Sequence, residues 1–375
     1  MNINLVDLKR QYSMLNIDWI MEKIKGLITI GGFVGGPYLE EFESKFSNYN
    51  NCRYTIGVGS GTDALILALR SLGVGPGDEV IVPANTFIAT AIAATHVGAD
   101  VVFSDVNPDT YLMDESVESY ITNKTKVIIP VHLYGNTVYM PKIMQIAKKY
   151  DLYVIEDCAQ AIGAKIDGKS VGTFGHAGCF SFYPAKNLGG LGQGGAVITN
   201  IESISNDVRS LGNVGRTDGS WYGYDKVGYN SRLDSINALF LTECLNYIDI
   251  WNDKRKNVAL MYKSFLCSED KTYRINENIL LPHVDKGCDH VYHLYEIRTE
   301  EKETRNKLLN FLKENGIGAA LHYPITCNNQ PIYNGYGSFN IAEGLADTLL
   351  SIPMHPYLSS KEVRKVSNCI TKFYY

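Results

Sequence analysis

Between Tyr54 and Asn200, short apolar runs alternate with segments of helix length. No other feature constrains the fold of this chain as tightly. The runs are Tyr54-Thr55-Ile56, Asp78-Glu79-Val80-Ile81-Val82, Val101-Val102-Phe103-Ser104, Val127-Ile128-Ile129-Pro130-Val131, Tyr153-Val154-Ile155, Cys179-Phe180-Ser181-Phe182 and Ala196-Val197-Ile198. Runs that are apolar on both faces suit strands covered on both sides, and helix-length spacers suit crossover helices. The pattern predicts an α/β fold built on a mostly parallel sheet. Ligands of such sheets sit at the carboxyl ends of the strands, so the residues just after each run are the candidates for chemistry.

The flanks read differently. Amphipathic helices are expected over Ile17–Leu27 and Tyr38–Tyr49, and long helices over Leu233–Met261. Val214–Gly228 is too polar and turn-prone for the core. After about residue 262 a strand at Tyr292–Ile297, a helix at Lys302–Asn315, a strand near Gly318–Leu321 and two closing helices suggest a smaller α+β unit. With 375 residues and 45% hydrophobic content the chain can bury a large core. The expected division is a large domain over 1–250 and a small one over 251–375.

Composition excludes some function classes. The net charge of -5 argues against nucleic-acid binding. No apolar stretch reaches membrane-spanning length, and the N-terminus lacks a signal-peptide pattern, so a cytoplasmic protein is expected. The eight cysteines form no C-x-x-C pairs. Neither a metal site nor a disulfide framework is expected from them.

Three motifs carry chemistry. Lys186 follows the run Gly178–Phe182 and precedes the glycine-rich Gly189–Gly195. A lysine enclosed there loses solvation, its pKa falls, and its amine becomes a nucleophile toward a carbonyl cofactor. Asp157 ends the run Leu152–Glu156, where a carboxylate faces whatever binds the sheet edge. Pyridoxal phosphate needs such an anion beside its ring nitrogen; a helix-capping or turn aspartate is the alternative. Gly57-Val58-Gly59-Ser60-Gly61-Thr62 opens a helix-periodic segment and offers free N–H groups to a phosphate. Its spacing is neither that of a Rossmann fingerprint nor that of a P-loop.

Six segments, in order, resemble the DegT/DnrJ/EryC1/StrS sugar aminotransferases, fold-type I pyridoxal-phosphate enzymes with an aspartate-aminotransferase-like fold. They are Gly59–Ala64, Pro83–Thr90, Glu156–Ala161, Ser181–Leu188, Gly228–Asp234 and His322–Pro324. The resemblance implies that Lys186 bonds the cofactor aldehyde and shuttles a proton, and that Asp157 partners the ring nitrogen. It places Phe87 on the ring face, Gln160 near the phenolic oxygen, and Gly61, Thr62 and Ser181 around the phosphate. Asn230 is the residue lent by the second subunit of a homodimer, giving shared active sites. His322 and Tyr323 face the sugar nucleotide, with Tyr183 beside them. Arg216 and Arg232 are candidates for the diphosphate, although helix-terminal ion pairing suits Arg232 equally well.

The implied reaction moves an amine from L-glutamate to a nucleotide-linked keto-deoxysugar, with pyridoxamine phosphate as the intermediate cofactor form. The motifs look most like those of enzymes acting at C-3 of dTDP-3-keto-6-deoxyhexoses. A C-4 aminotransferase on a UDP- or GDP-sugar is the alternative, and a non-catalytic pyridoxal-phosphate-binding regulator is the alternative of another class. Two positions depart from the family pattern. Ile162 stands where a histidine is common, and Gln193 where many members have aspartate. The retained lysine argues against the family's dehydratase branch, which has histidine there.

Overall fold

The computed structural model describes residues 2–217, 222–267, 274–275 and 278–375. Its larger sheet has seven strands: β1 (Tyr54–Val58), β2 (Glu79–Pro83), β3 (Asp100–Ser104), β4 (Thr125–Ile128), β5 (Tyr153–Asp157), β8 (Ala177–Ser181) and β9 (Gly195–Thr199). A small hairpin, β6 (Lys165–Ile166) and β7 (Lys169–Ser170), lies between β5 and β8 in the chain. The spatial order is β1-β9-β8-β5-β4-β2-β3. Every neighbouring pair from β8 to β3 is parallel, while β9 runs antiparallel to both β8 and β1. The sheet is thus mostly parallel, as the alternation predicts. All five residues of both β8 and β9 are buried, so the short apolar runs are strands covered on both faces.

Helices flank this sheet. Pro37–Asn50 starts with proline at a first-turn position and ends on Asn51 in the left-handed conformation. Its Phe42 and Phe46 meet Phe180 and Phe182 edge-on at centroid distances of 5.1–5.5 Å. Burying each such ring contributes about 1.5–3 kcal/mol, with a further gain from the edge-to-face geometry. The first expected helix covers Ile17–Ile30, and a short one at Leu8–Tyr12 precedes it.

The second sheet has order β10 (Arg274–Ile275), β11 (Ile279–Leu280), β12 (Tyr295–Thr299) and β13 (Leu349–Ile352), all antiparallel. The strand expected near Gly318–Leu321 does not form. That segment makes one bridge, Ala320 to Ser351, and the sheet position belongs to β13. The run Leu349-Leu350-Ser351-Ile352 directly follows a helix, Asn340–Thr348, and its four residues gave too short a period to separate from it. The helices Lys302–Glu314, Asn340–Thr348 and Ser360–Tyr374 cover this sheet. Val214–Gly228 carries no helix or strand among its described residues, and 218–221 lie outside them.

Two apolar cores result. One lies around the larger sheet. The other gathers Tyr262, Ile297, Leu308, Leu350 and Val366 around the smaller sheet, together with Ile3 from the N-terminus. Helix Ile248–Leu266 joins them, giving Trp251 to the first and Tyr262 to the second. Among the described residues, no helix is long and apolar enough to cross a membrane.

Candidate active site

The carboxyl ends of β1, β2, β5 and β8 meet at one edge of the larger sheet, and a cavity of about 570 Å³ opens there. Strand β9 runs the other way, so its first residue lies at the same edge and Gln193, just before it, joins the wall. The remaining wall comes from Val131 and Leu133 beyond β4, from β12's approach (His293, Leu294), from His322 and Tyr323, and from Leu5 and Val6 of the N-terminus.

Lys186 stands where β8 turns into the glycine-rich loop, and part of its surface faces this cavity. Desolvation lowers its pKa to about 8, against the opposing pull of Asp157. An appreciable fraction of the amine is therefore unprotonated near neutral pH. Asp157 is buried at the end of β5. Its Oδ2 accepts a hydrogen bond from Thr90 Oγ1 at 2.9 Å, and its Oδ1 accepts from the Ala159 N–H at 3.1 Å. Burial pushes its pKa up; Ala159, Thr90 and Lys186 pull it back.

The acid before Asp157 anchors β5 from behind. Glu156 accepts hydrogen bonds from the N–H groups of Gly172, Phe174 and Gly175. His132 Nδ1 accepts from Val138 N–H, so the ring hydrogen is on Nε2, which donates to Glu156 at 3.2 Å. Cys158 lies beside this pair. Because Glu156's acceptor sites are already used by these donors, the group braces the strand that presents Asp157.

Helix Gly61–Ser71 starts at the carboxyl end of β1. Its N-cap Ser60 accepts from Asp63 N–H, and the remaining first-turn N–H groups face the cavity end with the helix dipole behind them. Gly61 is required by space. A Cβ there would lie 2.7 Å from Ser181 Cβ. The close approach of two strand ends leaves a backbone cradle lined by Ser60, Gly61, Thr62 and Ser181. Gln160 ties the cavity floor to the opposite wall. Its Oε1 accepts from Tyr134 N–H at 2.6 Å, and its Nε2 donates to Tyr323 Oη at 3.2 Å. Phe87 is half exposed, and its ring lies 5.6 Å from that of Tyr323.

The cavity thus brings together Gly61, Thr62, Phe87, Asp157, Gln160, Ser181, Tyr183, Lys186, His322 and Tyr323, ten of the thirteen candidates. Asn230, Arg216 and Arg232 do not line it. Asn230 is exposed and its Oδ1 accepts from Arg232 Nη2 at 2.6 Å, while Arg232 Nη1 donates to Asn213. Arg216 lies half-buried beside Tyr224 on the same side. Residues the sequence did not assign a role are Thr90, His293, the cavity-lining Ser60 and Thr86, and Leu5 and Val6. Thr90 lies inside the quoted Pro83–Thr90 motif, but its bond to Asp157 spans 67 positions. His293 sits in the strand-like run Tyr292–Ile297, so its histidine was the available signal.

These residues fit pyridoxal phosphate. The cavity offers a lysine amine of lowered pKa, a buried carboxylate at a strand end, and a helix N-terminus whose backbone a single Cβ at Gly61 would crowd. The fold and this donor set define an aminotransferase of fold type I. Residues 17–371 match the model of the DegT/DnrJ/EryC1/StrS aminotransferase family, and the chain belongs to that family. It is 40% identical to a UDP-N-acetyl-3-dehydro-alpha-D-glucosamine 3-aminotransferase of Acidithiobacillus ferrooxidans, over 99% of this chain and 97% of that one. It is equally similar, at 40%, to a pleiotropic regulatory protein of Geobacillus stearothermophilus, over 100% and 99%. A dTDP-3-amino-3,4,6-trideoxy-alpha-D-glucose transaminase of Streptomyces venezuelae is 37% identical, over 99% and 96%. Among solved structures, DesV of S. venezuelae superimposes with a TM-score of 0.91 at 37% identity, covering 99% of this chain and 98% of that one. NtdA of Bacillus subtilis, solved with bound cofactor PMP, gives 0.90 at 32%, covering 98% and 84%. The chain is a pyridoxal-phosphate-dependent sugar aminotransferase.

Proposed function

We propose that this enzyme aminates C-3 of a dTDP-linked 3-keto-6-deoxyhexose, with L-glutamate as donor. One observation carries the catalytic part: a lysine with pKa lowered to about 8 shares one cavity with the buried carboxylate of Asp157. The C-3 assignment is supported by two relatives whose names specify a 3-amino product, one on a UDP-sugar and one on a dTDP-sugar. The dTDP assignment rests on the second. A C-4 reaction on a UDP- or GDP-keto-sugar is the rival.

When bound, the cofactor supplies a carbonyl that takes up an amine and a ring that draws electrons while its nitrogen is protonated. In our reading Lys186 Nζ engages that carbonyl and then holds and moves the proton at the substrate carbon. Asp157, fixed by Thr90 and the Ala159 N–H, retains the proton on the ring nitrogen. Ser60, Gly61, Thr62 and Ser181 would hold the phosphate, with Phe87 and Gln160 available to the ring and its oxygen. Tyr183, His322 and Tyr323 orient the sugar, and the apolar wall of Leu5, Val6 and Leu294 excludes water.

Asn230, Arg216 and Arg232 have their place in this reading as residues given to the site of a second copy in a homodimer, where the exposed Asn230 meets the cofactor phosphate and an Arg fork meets the diphosphate. We divide the chain into a large unit over 1–250 and a small one over 251–375, with the first core also taking Trp251, Leu294 and Leu349 and the second taking Ile3. We place the enzyme in the cytoplasm, and its net charge of -5 fits a protein that does not bind nucleic acid.

The name of the Geobacillus relative keeps a regulatory reading in view, and the retained Lys186 opposes it. A spectrum with L-glutamate separates the two: an enzyme bleaches the absorbance of its lysine-bound cofactor, and a passive binder does not. Incubation with dTDP- and UDP-keto-sugars, and NMR of the amine-bearing carbon, tests the position. Amination at C-4 alone would overturn our assignment.

A further inference from the structure

Behind His322 runs a chain of hydrogen bonds that the reaction above does not use. Strands β12 and β13 are antiparallel, with Glu296 directly opposite Ser351. Residues paired in this way project to the same face. Ser351 Oγ accordingly makes a short hydrogen bond with Glu296 Oε1 and lies 2.6 Å from His322 Nδ1. Ser351 also forms the bridge with Ala320, which anchors the segment leading to His322. Glu296 and Ser351 are buried, whereas His322 reaches the cavity wall. With Nδ1 engaged by Ser351, Nε2 is the ring nitrogen left for a ligand.

Among the described residues, Glu296 faces no buried cation. Its Oε2 has no hydrogen-bond partner and borders a narrow gap lined by Tyr111, Tyr134, His283 and His290. Tyr323 and Tyr134 lie close enough for its charge to raise their pKa values further above the ordinary phenol value, so neither ionises near neutrality. His290 is neutral, held down to about 3 by burial. Arg298, two residues along β12, donates to the Pro108 carbonyl.

We propose that Glu296 is a positioning residue: through Ser351 it sets which hydrogen-bonding role His322 offers the sugar. This deepens the function proposed above and rests on it. The hydrogens balance as follows. A protonated Glu296 carries its hydrogen on Oε1, because Oε2 has no acceptor to meet. Oε1–H donates to Ser351 Oγ, the Ser351 hydroxyl donates to His322 Nδ1, and the ring hydrogen is on Nε2, a donor to a sugar oxygen. Loss of the Glu296 proton reverses the chain. Ser351 then donates to the carboxylate, His322 Nδ1–H donates to Ser351, and Nε2 becomes an acceptor. Burial holds the Glu296 carboxyl up to about 8, which places the reversal just above neutral pH.

The test is a pH series of ¹⁵N spectra on histidine-labelled holoenzyme, with His322→Gln identifying the His322 signals. We expect Nε2–H at pH 7 and Nδ1–H above about pH 9. Glu296→Gln, which has no proton to lose and so cannot reverse the chain with pH, should hold a single tautomer throughout. Ser351→Ala should abolish the switch, and it serves alone if the Gln variant fails to fold. The KM for the sugar nucleotide should rise about 3- to 10-fold from pH 7 to 9 in the wild type, the value of one misdirected hydrogen bond. In Glu296→Gln that rise should be lost, while the kcat of the glutamate half-reaction follows the same pH profile in both. One tautomer at both pH values in the wild type, or a Gln variant that switches like it, overturns the proposal. If no sugar nucleotide is accepted, the functional reading fails, and the spectra still decide the relay.

Discussion

Asp157→Asn separates chemistry from folding. In the wild type Oδ1 accepts from the Ala159 N–H and Oδ2 accepts from Thr90 Oγ1. The asparagine oxygen can keep the first bond. Its NH₂ can donate to Thr90 Oγ1, whose own hydroxyl then turns to the Phe87 carbonyl 3.2 Å away. No buried polar group is orphaned. The sign for stability follows from the raised pKa of Asp157. A carboxyl raised by burial contributes its full stability below the unfolded-state pKa, and loses it as pH rises through the folded one. At neutral pH the amide removes that charge penalty, so the cofactor-free variant should melt no lower than wild type. Turnover should move the other way. Loss of the fixed anion beside the ring nitrogen is expected to slow transamination by ~10²-fold or more, about 2.7 kcal/mol on the barrier. Thermal melts of the cofactor-free protein and single-turnover absorbance of the loaded one give the two numbers. A rate within a few-fold of wild type, with cofactor bound, would refute the role assigned to Asp157.

Lys186→Ala should abolish turnover in a folded protein, because no other amine among the described residues lines the cavity; steady-state assay with purified variant checks it. Gly61→Ala should weaken cofactor binding by about 10- to 100-fold, since its Cβ would press within 2.7 Å of Ser181 and must shift the cradle at about 1–3 kcal/mol; a fluorescence titration with pyridoxal phosphate reads this. Mixing inactive Lys186→Ala and Asn230→Ala subunits should restore part of the activity, because one site of each hybrid dimer then has both intact residues; no recovery despite proven exchange would sink the shared-site proposal. Glu296→Gln should stabilise the protein at pH 7 by up to about 3 kcal/mol. Folding holds that carboxyl protonated far above its ordinary 4.5, and denaturant melts at pH 5 and 7 should show a much larger gain at the higher pH.

The larger sheet was legible because its strands are apolar on both faces and evenly interrupted, a local pattern. Local motifs likewise marked Lys186, Asp157 and Gly61, each at the end of such a run. What the sequence did not show is contact across distance. Thr90 steadies Asp157 from the first turn of the helix Ala89–His96, and Ser351 meets His322 only because β13 pairs with β12. β13 itself was hidden, since Leu349–Ile352 continues a helical segment without a turn signal. Leu5 and Val6 reach the cavity through the Ile3–Ile317 bridge, a pairing across nearly the whole chain that no periodicity encodes.

The central claim is that one cavity passes an amine from L-glutamate to a nucleotide-linked keto-sugar. The most direct measurement follows the absorbance of enzyme-bound cofactor through two separate half-reactions in single turnover. L-glutamate alone should convert the pyridoxal form to the pyridoxamine form. A dTDP-3-keto-6-deoxyhexose should then return it, far faster than the same sugar without its nucleotide, whose binding area is too small to hold the keto carbon in place. No change with glutamate, or a faster return with a free keto-sugar or a simple 2-oxo acid than with any nucleotide sugar, would contradict the account.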